Sequence, residues 1–146
     1  MKYPIGIQSF DRIIEDGYVY VDKTEMIYSL VKEGSIYFLS RPRRFGKSLL
    51  VSTLKNYFLG RKELFKGVAI DGLEKDWLEY PVFHIDFNGS NFQEEGTLEK
   101  VIEGHISAWE KVYAILPDQS QDRGMRFIQV LKRGSSPDGA ACRSFD

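Results

Sequence analysis

Ser35-Ile36-Tyr37-Phe38-Leu39-Ser40-Arg41-Pro42-Arg43-Arg44-Phe45-Gly46-Lys47-Ser48-Leu49-Leu50 is the stretch on which the fold turns. Its first six residues form a short, nearly continuous apolar run between Gly34 and Pro42. A strand buried on both faces of a parallel sheet has that composition, because neither face needs polar side chains. Residues 41–46 read as a loop. From Lys47 the pattern turns helical: Leu50, Leu54 and Phe58 recur four apart, Leu49 and Tyr57 lie beside them, and Gly60 closes the helix.

Gly46-Lys47-Ser48 therefore sits between a strand-like run and an amphipathic helix. That is the setting a phosphate-binding loop of the Walker A type requires. A helix N-terminus offers unpaired backbone N–H groups and a partial positive charge. Gly46 lets the backbone approach phosphate oxygens without a side chain in the way. Lys47 is placed to reach the β- and γ-phosphates, and the Ser48 hydroxyl to ligate Mg²⁺ bridging them. The full pattern has a glycine five positions before Gly46, where this chain has Arg41. The bland alternative is that Lys47 and Ser48 merely open a solvated helix.

Outward from this centre, Tyr18-Val19-Tyr20-Val21 is β-prone. Asp22 can cap a helix whose apolar face is Met26, Ile27, Leu30 and Val31, with Glu25 able to reach back to the cap. Residues 61–80 read as a connection pinned by Leu64, Phe65 and Val68. Residues 81–87 read as a second strand, and Asn88-Gly89-Ser90 as a turn. The spacing predicts a long helix over 97–116, stopped by Pro117, and a last one over about 123–133. Residues 134–146 have no period and few large apolar side chains, and are expected to be an irregular, disordered tail.

Composition sets the outer limits. The chain has 146 residues, 42% of them apolar and 28% charged, as in an ordinary globular domain. Twenty Lys and Arg against 21 Asp and Glu exclude a globally basic nucleic-acid binder, although not a local basic patch. Cys142 is the single cysteine, so neither an internal disulfide nor a zinc cluster with the two histidines is expected. No apolar run approaches the ~20 residues of a membrane span, and the N-terminus lacks a signal-peptide core. A cytoplasmic setting is expected, with no membrane partner.

The stretch 37–50, with 18–24, Tyr57-Phe58, Leu64-Phe65 and Tyr80-Pro81-Val82, resembles the bacterial AAA-ATPase-like proteins over residues 1 to about 133. In that family an Arg-Pro-Arg-Arg-Phe-Gly-Lys-Ser loop replaces the glycine-first form. The resemblance implies that Arg41 is a normal variant. It also implies that ATP with Mg²⁺ is held by Arg41, Pro42, Arg43, Arg44, Phe45, Gly46, Lys47, Ser48 and Leu49. It implies an α/β fold, part of a P-loop NTPase three-layer α/β/α domain over residues 1–133 that lacks the later strands of the sheet. Full-length relatives carry a PD-(D/E)xK nuclease-like domain after the ATPase part, a route to nucleic acid that this chain does not contain. They also follow the third helix with a strand ending in acids of the Walker B type. No such run follows Leu131, so truncation or a frame change near residue 134 is the expectation, and hydrolysis by this chain is not assigned.

Lesser candidates have two readings each. Arg43 and Arg44 are either a phosphate clamp or solvated loop charges. Phe45 either stacks on a base or packs under the loop. Ile7 and Phe10 either line an adenine pocket or cover the sheet. Asp86 either supports Mg²⁺ or caps the turn at Asn88. His84 reads as a surface or hydrogen-bonded group, His105 as part of a helix seam, and Cys142 as inert. Two other classes compete with nucleotide binding: a phosphate- or nucleic-acid-contacting basic loop built from Arg41, Arg43, Arg44 and Lys47, and an inactive gene fragment.

Overall fold

A computed structural model of the chain describes residues 1–116, 118 and 120–136. The expected tail and Cys142 lie almost wholly outside the described residues. By chain contacts the molecule divides into two compact units, Met1–Val82 and a second beginning at Phe83.

The first unit holds α1 (Phe10–Glu15), α2 (Thr24–Glu33), α3 (Lys47–Phe58), a 3-10 turn (Lys62–Phe65) and α4 (Ala69–Leu73). Its core is Phe10, Ile27, Tyr57, Leu64, Phe65 and Ile70. Aromatic rings dominate it: Phe10 lies 4.8 Å from Phe65 and 5.2 Å edge-on from Tyr20. Rings this close gain from complementary edge and face charge as well as from burial. The residues of 61–80 do pin the chain, as Leu64 and Phe65 are buried and Val68 packs against them. The short helix α4 within that segment carries no helical period in its five residues.

Polar atoms align these helices. Asp22 Oδ1 accepts the Thr24 N–H (2.8 Å) and hydroxyl (2.7 Å), while Oδ2 accepts the Ala69 N–H at the start of α4 (2.7 Å). Thr24 Oγ1 in turn accepts the Ile70 N–H (3.0 Å). Asp22 thus serves two helix starts, and the expected return contact from Glu25 is not made. Burial works against its charge, but these donors outweigh it and hold the Asp22 carboxyl below its ordinary value.

The second unit packs α5 (Thr97–Val112) on α6 (Arg123–Gly134). α5 ends four residues earlier than the spacing predicts, where Ala114 turns left-handed (φ 50°). Phe83 packs on Trp109 (5.2 Å) and Tyr113 (5.8 Å), and Trp109 on Phe127 (5.9 Å). Between the helices Arg126 grips buried Glu110 with two bonds of 2.7 Å, and also pairs with Glu103.

The three-layer α/β/α expectation fails. Among the described residues every regular element is helical and none is a strand. Residues 18–21, 36–39 and 81–87 have the right composition, but a strand exists only by exchanging N–H and C=O bonds along a partner. No described segment supplies one. In the run 18–21 the Val19 N–H bonds to the Lys2 oxygen (2.8 Å) and the Tyr18 N–H to the Ile13 oxygen (2.9 Å), two bonds to separate segments and not a ladder. Apolar residues meant for two buried faces are left in water, with Ile36 and Phe38 more than 90% exposed.

Candidate functional site

The loop before α3 gathers the residues singled out from the sequence. Residues 41–48 are all exposed, while Leu49 is half-buried against the first unit's core. Gly46 takes a left-handed conformation (φ 75°, ψ 16°) at the N-cap of α3, which side chains other than glycine rarely adopt. Arg44 is also left-handed (φ 67°), an uncommon state for a residue with a Cβ.

No side chain caps α3. Among the described residues the N–H groups of Gly46, Lys47, Ser48 and Leu49 find no acceptor, since the first bond of the helix is from Leu50 to the Gly46 oxygen (2.9 Å). Four donors at the positive end of a twelve-residue helix are thus free. Lys47 Nζ donates to the Arg41 carbonyl (2.6 Å), so its ammonium lies folded back over the same loop. The Arg41 guanidinium lies 3.5 Å from the Phe45 oxygen. Among the described residues Arg41, Arg43, Arg44 and Lys47 form no ion pair with an acid.

Beside the loop lies a hollow of about 500 Å³, lined by Pro4, Val21, Met26, Leu39, Arg41 and Phe45 among others. Phe45 is 64% exposed and borders this space rather than lying under the loop. Phe10 is fully buried in the core, and neither it nor Ile7 borders the hollow. Phe10 packs instead into the helical core of the first unit, and no sheet is there for it to cover.

The remaining candidates are separate from the loop. The Asp86 carboxylate accepts the Asn88 N–H (2.8 Å), so it caps the turn. His84 is exposed, and His105 stacks on Trp109 (5.6 Å) with Nε2 3.1 Å from the Asp86 carbonyl oxygen. A second hollow of about 550 Å³, lined by Leu30, Tyr57, Trp77 and Tyr80, contains one buried carboxylate, Glu74. Tyr57, Lys32 and two backbone amides already occupy it. Sequence reasoning missed Glu74 and the Glu110–Arg126 pair, for neither lies in a motif.

Among the described residues no cluster of three His, Cys, Asp or Glu side chains is arranged for a metal, and no helix is long and apolar enough to cross a membrane. A family model described as a predicted AAA-ATPase matches residues 4–140. A relative from Azotobacter chroococcum mcd 1, described as an uncharacterized protein in the vnfD 5′ region, is 39% identical over 140 residues. The match covers 94% of this chain and 27% of the relative, so the chain spans about a quarter of that protein's length. No solved structure matches the chain.

Proposed function

The chain belongs to this AAA-ATPase-like family, and from that premise we propose that residues 41–49 bind the phosphates of a nucleoside triphosphate, ATP first, together with Mg²⁺. The observation that carries the proposal is the set of free amides at Gly46, Lys47, Ser48 and Leu49, opened by a left-handed Gly46. Such a set suits phosphate oxygens, which accept several N–H bonds at once. Lys47 exchanges its neutral carbonyl partner for an anion, a stronger charge-assisted bond. Ser48, exposed at the second helical position, is the protein oxygen assigned to the ion. When bound, Mg²⁺ neutralises charge between adjacent phosphates. The apolar hollow beside Phe45 is where we place the base. The proposal is one of binding, and no residue is assigned to orient an attacking water.

The test is calorimetric titration with Mg²⁺–ATP. Saturable binding is expected, weakened about ten- to hundredfold in Lys47→Ala, the scale of one lost bond to a charged group. Binding that is absent, or indifferent to Lys47, contradicts the proposal.

The four unpaired cations of the loop favour one other reading, contact with a nucleic-acid backbone. Oligonucleotide binding that weakens steeply with salt, survives Lys47→Ala and is lost on removing Arg43 and Arg44 would establish it. The balanced net charge of −1 gives that reading a narrow footprint.

A further inference from the structure

Two parts of the site differ in what they are able to read. Around the phosphates stand four free amides and the cations Arg41, Arg43, Arg44 and Lys47, none paired with an acid among the described residues. The hollow for the base, about 500 Å³, has walls that are mostly aliphatic, with Ile13, Val21, Met26, Leu49 and Leu50 among them. Among the described residues that line it there is no Asp, Glu, Asn or Gln. Its polar side chains are Lys23, Arg41, Tyr20 and Thr53. Thr53 is buried and already donates to the Leu49 carbonyl (2.8 Å). The Tyr20 hydroxyl donates or accepts as a partner requires. Lys23 and Arg41 are donors only, and both stand at exposed positions. The backbone of Val21 and Leu39 has no partner among the described residues and presents both N–H and C=O.

Adenine carries an amine donor at the ring position where guanine carries a carbonyl acceptor, and both present N7 as an acceptor. Telling them apart takes a buried group, fixed as donor or acceptor, that the wrong base leaves unpaired. The hollow has no such side chain. Lys23 and Arg41 suit N7 of either purine, and with the wrong base they remain in water at no penalty. Tyr20 and the open backbone suit either edge. Phe45, 64% exposed at the border of the hollow, offers a ring face, and stacking serves every base because each has a π-face. We infer, on the triphosphate reading of residues 41–49, that the site reads the phosphate chain and not the base, and so takes purine nucleoside triphosphates alike. Phe45 is the residue through which the base adds affinity, equally for adenine and guanine. A pyrimidine covers less of that ring and binds more weakly. Removing the nucleoside leaves the phosphate contacts whole and loses the stacking alone.

Calorimetric titration of the 146-residue chain with the Mg²⁺ complexes of ATP, GTP, CTP and inorganic tripolyphosphate tests this. Dissociation constants for ATP and GTP are expected within about threefold of each other, with CTP weaker than both. Tripolyphosphate is expected to bind about ten- to hundredfold more weakly than ATP, the scale of one base–aromatic stack. Phe45→Ala removes an exposed ring and spares the core. It should bring ATP and GTP down together towards tripolyphosphate, whose own binding it leaves unchanged. Lys47→Ala should weaken all four ligands by a similar factor. A preference between ATP and GTP of more than about tenfold, CTP binding as tightly as ATP, or a Phe45→Ala effect on one purine alone would overturn the inference and leave the triphosphate reading in place. Saturable binding of none of the four would overturn both.

Discussion

The two units solve the same packing problem with different chemistry. The first surrounds Phe65, which is fully buried, with Phe10, Tyr57 and Trp77, and sets helix starts with the Asp22–Thr24 latch at its edge. The second has a thinner apolar layer, Phe83–Trp109–Phe127, and places a charged pair, Glu110 with Arg126, between its helices. Area-dependent burial is tolerant of geometry, whereas a buried ion pair is stabilising only while both partners remain. The chain's two tryptophans fall one in each unit, so each can be followed by its own signal.

The largest effect is expected in the aromatic core. Phe65→Ala should cost about 3–5 kcal/mol in the unfolding transition read at Trp77, from lost transfer energy plus a cavity. Chemical denaturation of a Trp109→Phe background measures it, and a loss under about 1 kcal/mol would mean that the core collapses around the gap. Next comes Arg126→Ala, which leaves Glu110 buried without its cation and should cost about 3 kcal/mol at Trp109 in a Trp77→Phe background. Replacing both partners, Arg126→Met with Glu110→Leu, should recover most of that loss. If the double variant is as unstable as the single one, the pair is not the source of the difference between the units.

A further effect is expected of acid on the first unit. Burial alone would raise the Glu74 carboxyl, but the Tyr57 hydroxyl, the Lys32 ammonium and backbone amides bring it down from 4.5 to about 2. A carboxyl lowered by folding stabilises the native state fully above its unfolded value and loses that contribution as pH falls through the folded one. The Trp77 transition should therefore weaken between about pH 4.5 and pH 2. Glu74→Gln should flatten that slope, and an unchanged slope would remove Glu74 from the account.

What the sequence disclosed follows from how local each feature is. The loop 41–48 and α3 were legible because a glycine, a lysine and a helical period lie within one contiguous stretch. The apolar runs at 36–39 and 81–87 were misread as strands because their composition records suitability for a sheet, while the ladder depends on a partner elsewhere. Asp22 was half legible: its place before α2 showed a cap, but its bond to Ala69 spans 47 residues. Arg126 and Glu110 went unread, since nothing in a single helix's pattern reveals a partner sixteen residues away on the neighbouring helix.

The central claim is that free amides at the start of α3 receive a triphosphate. Titration of the ¹⁵N-labelled chain with Mg²⁺–ATP, followed by amide NMR, tests it most directly. The account predicts saturable shifts largest at Gly46, Lys47 and Ser48 and lost in Lys47→Ala. Shifts that spare these three amides, or that persist unchanged in Lys47→Ala, would contradict it.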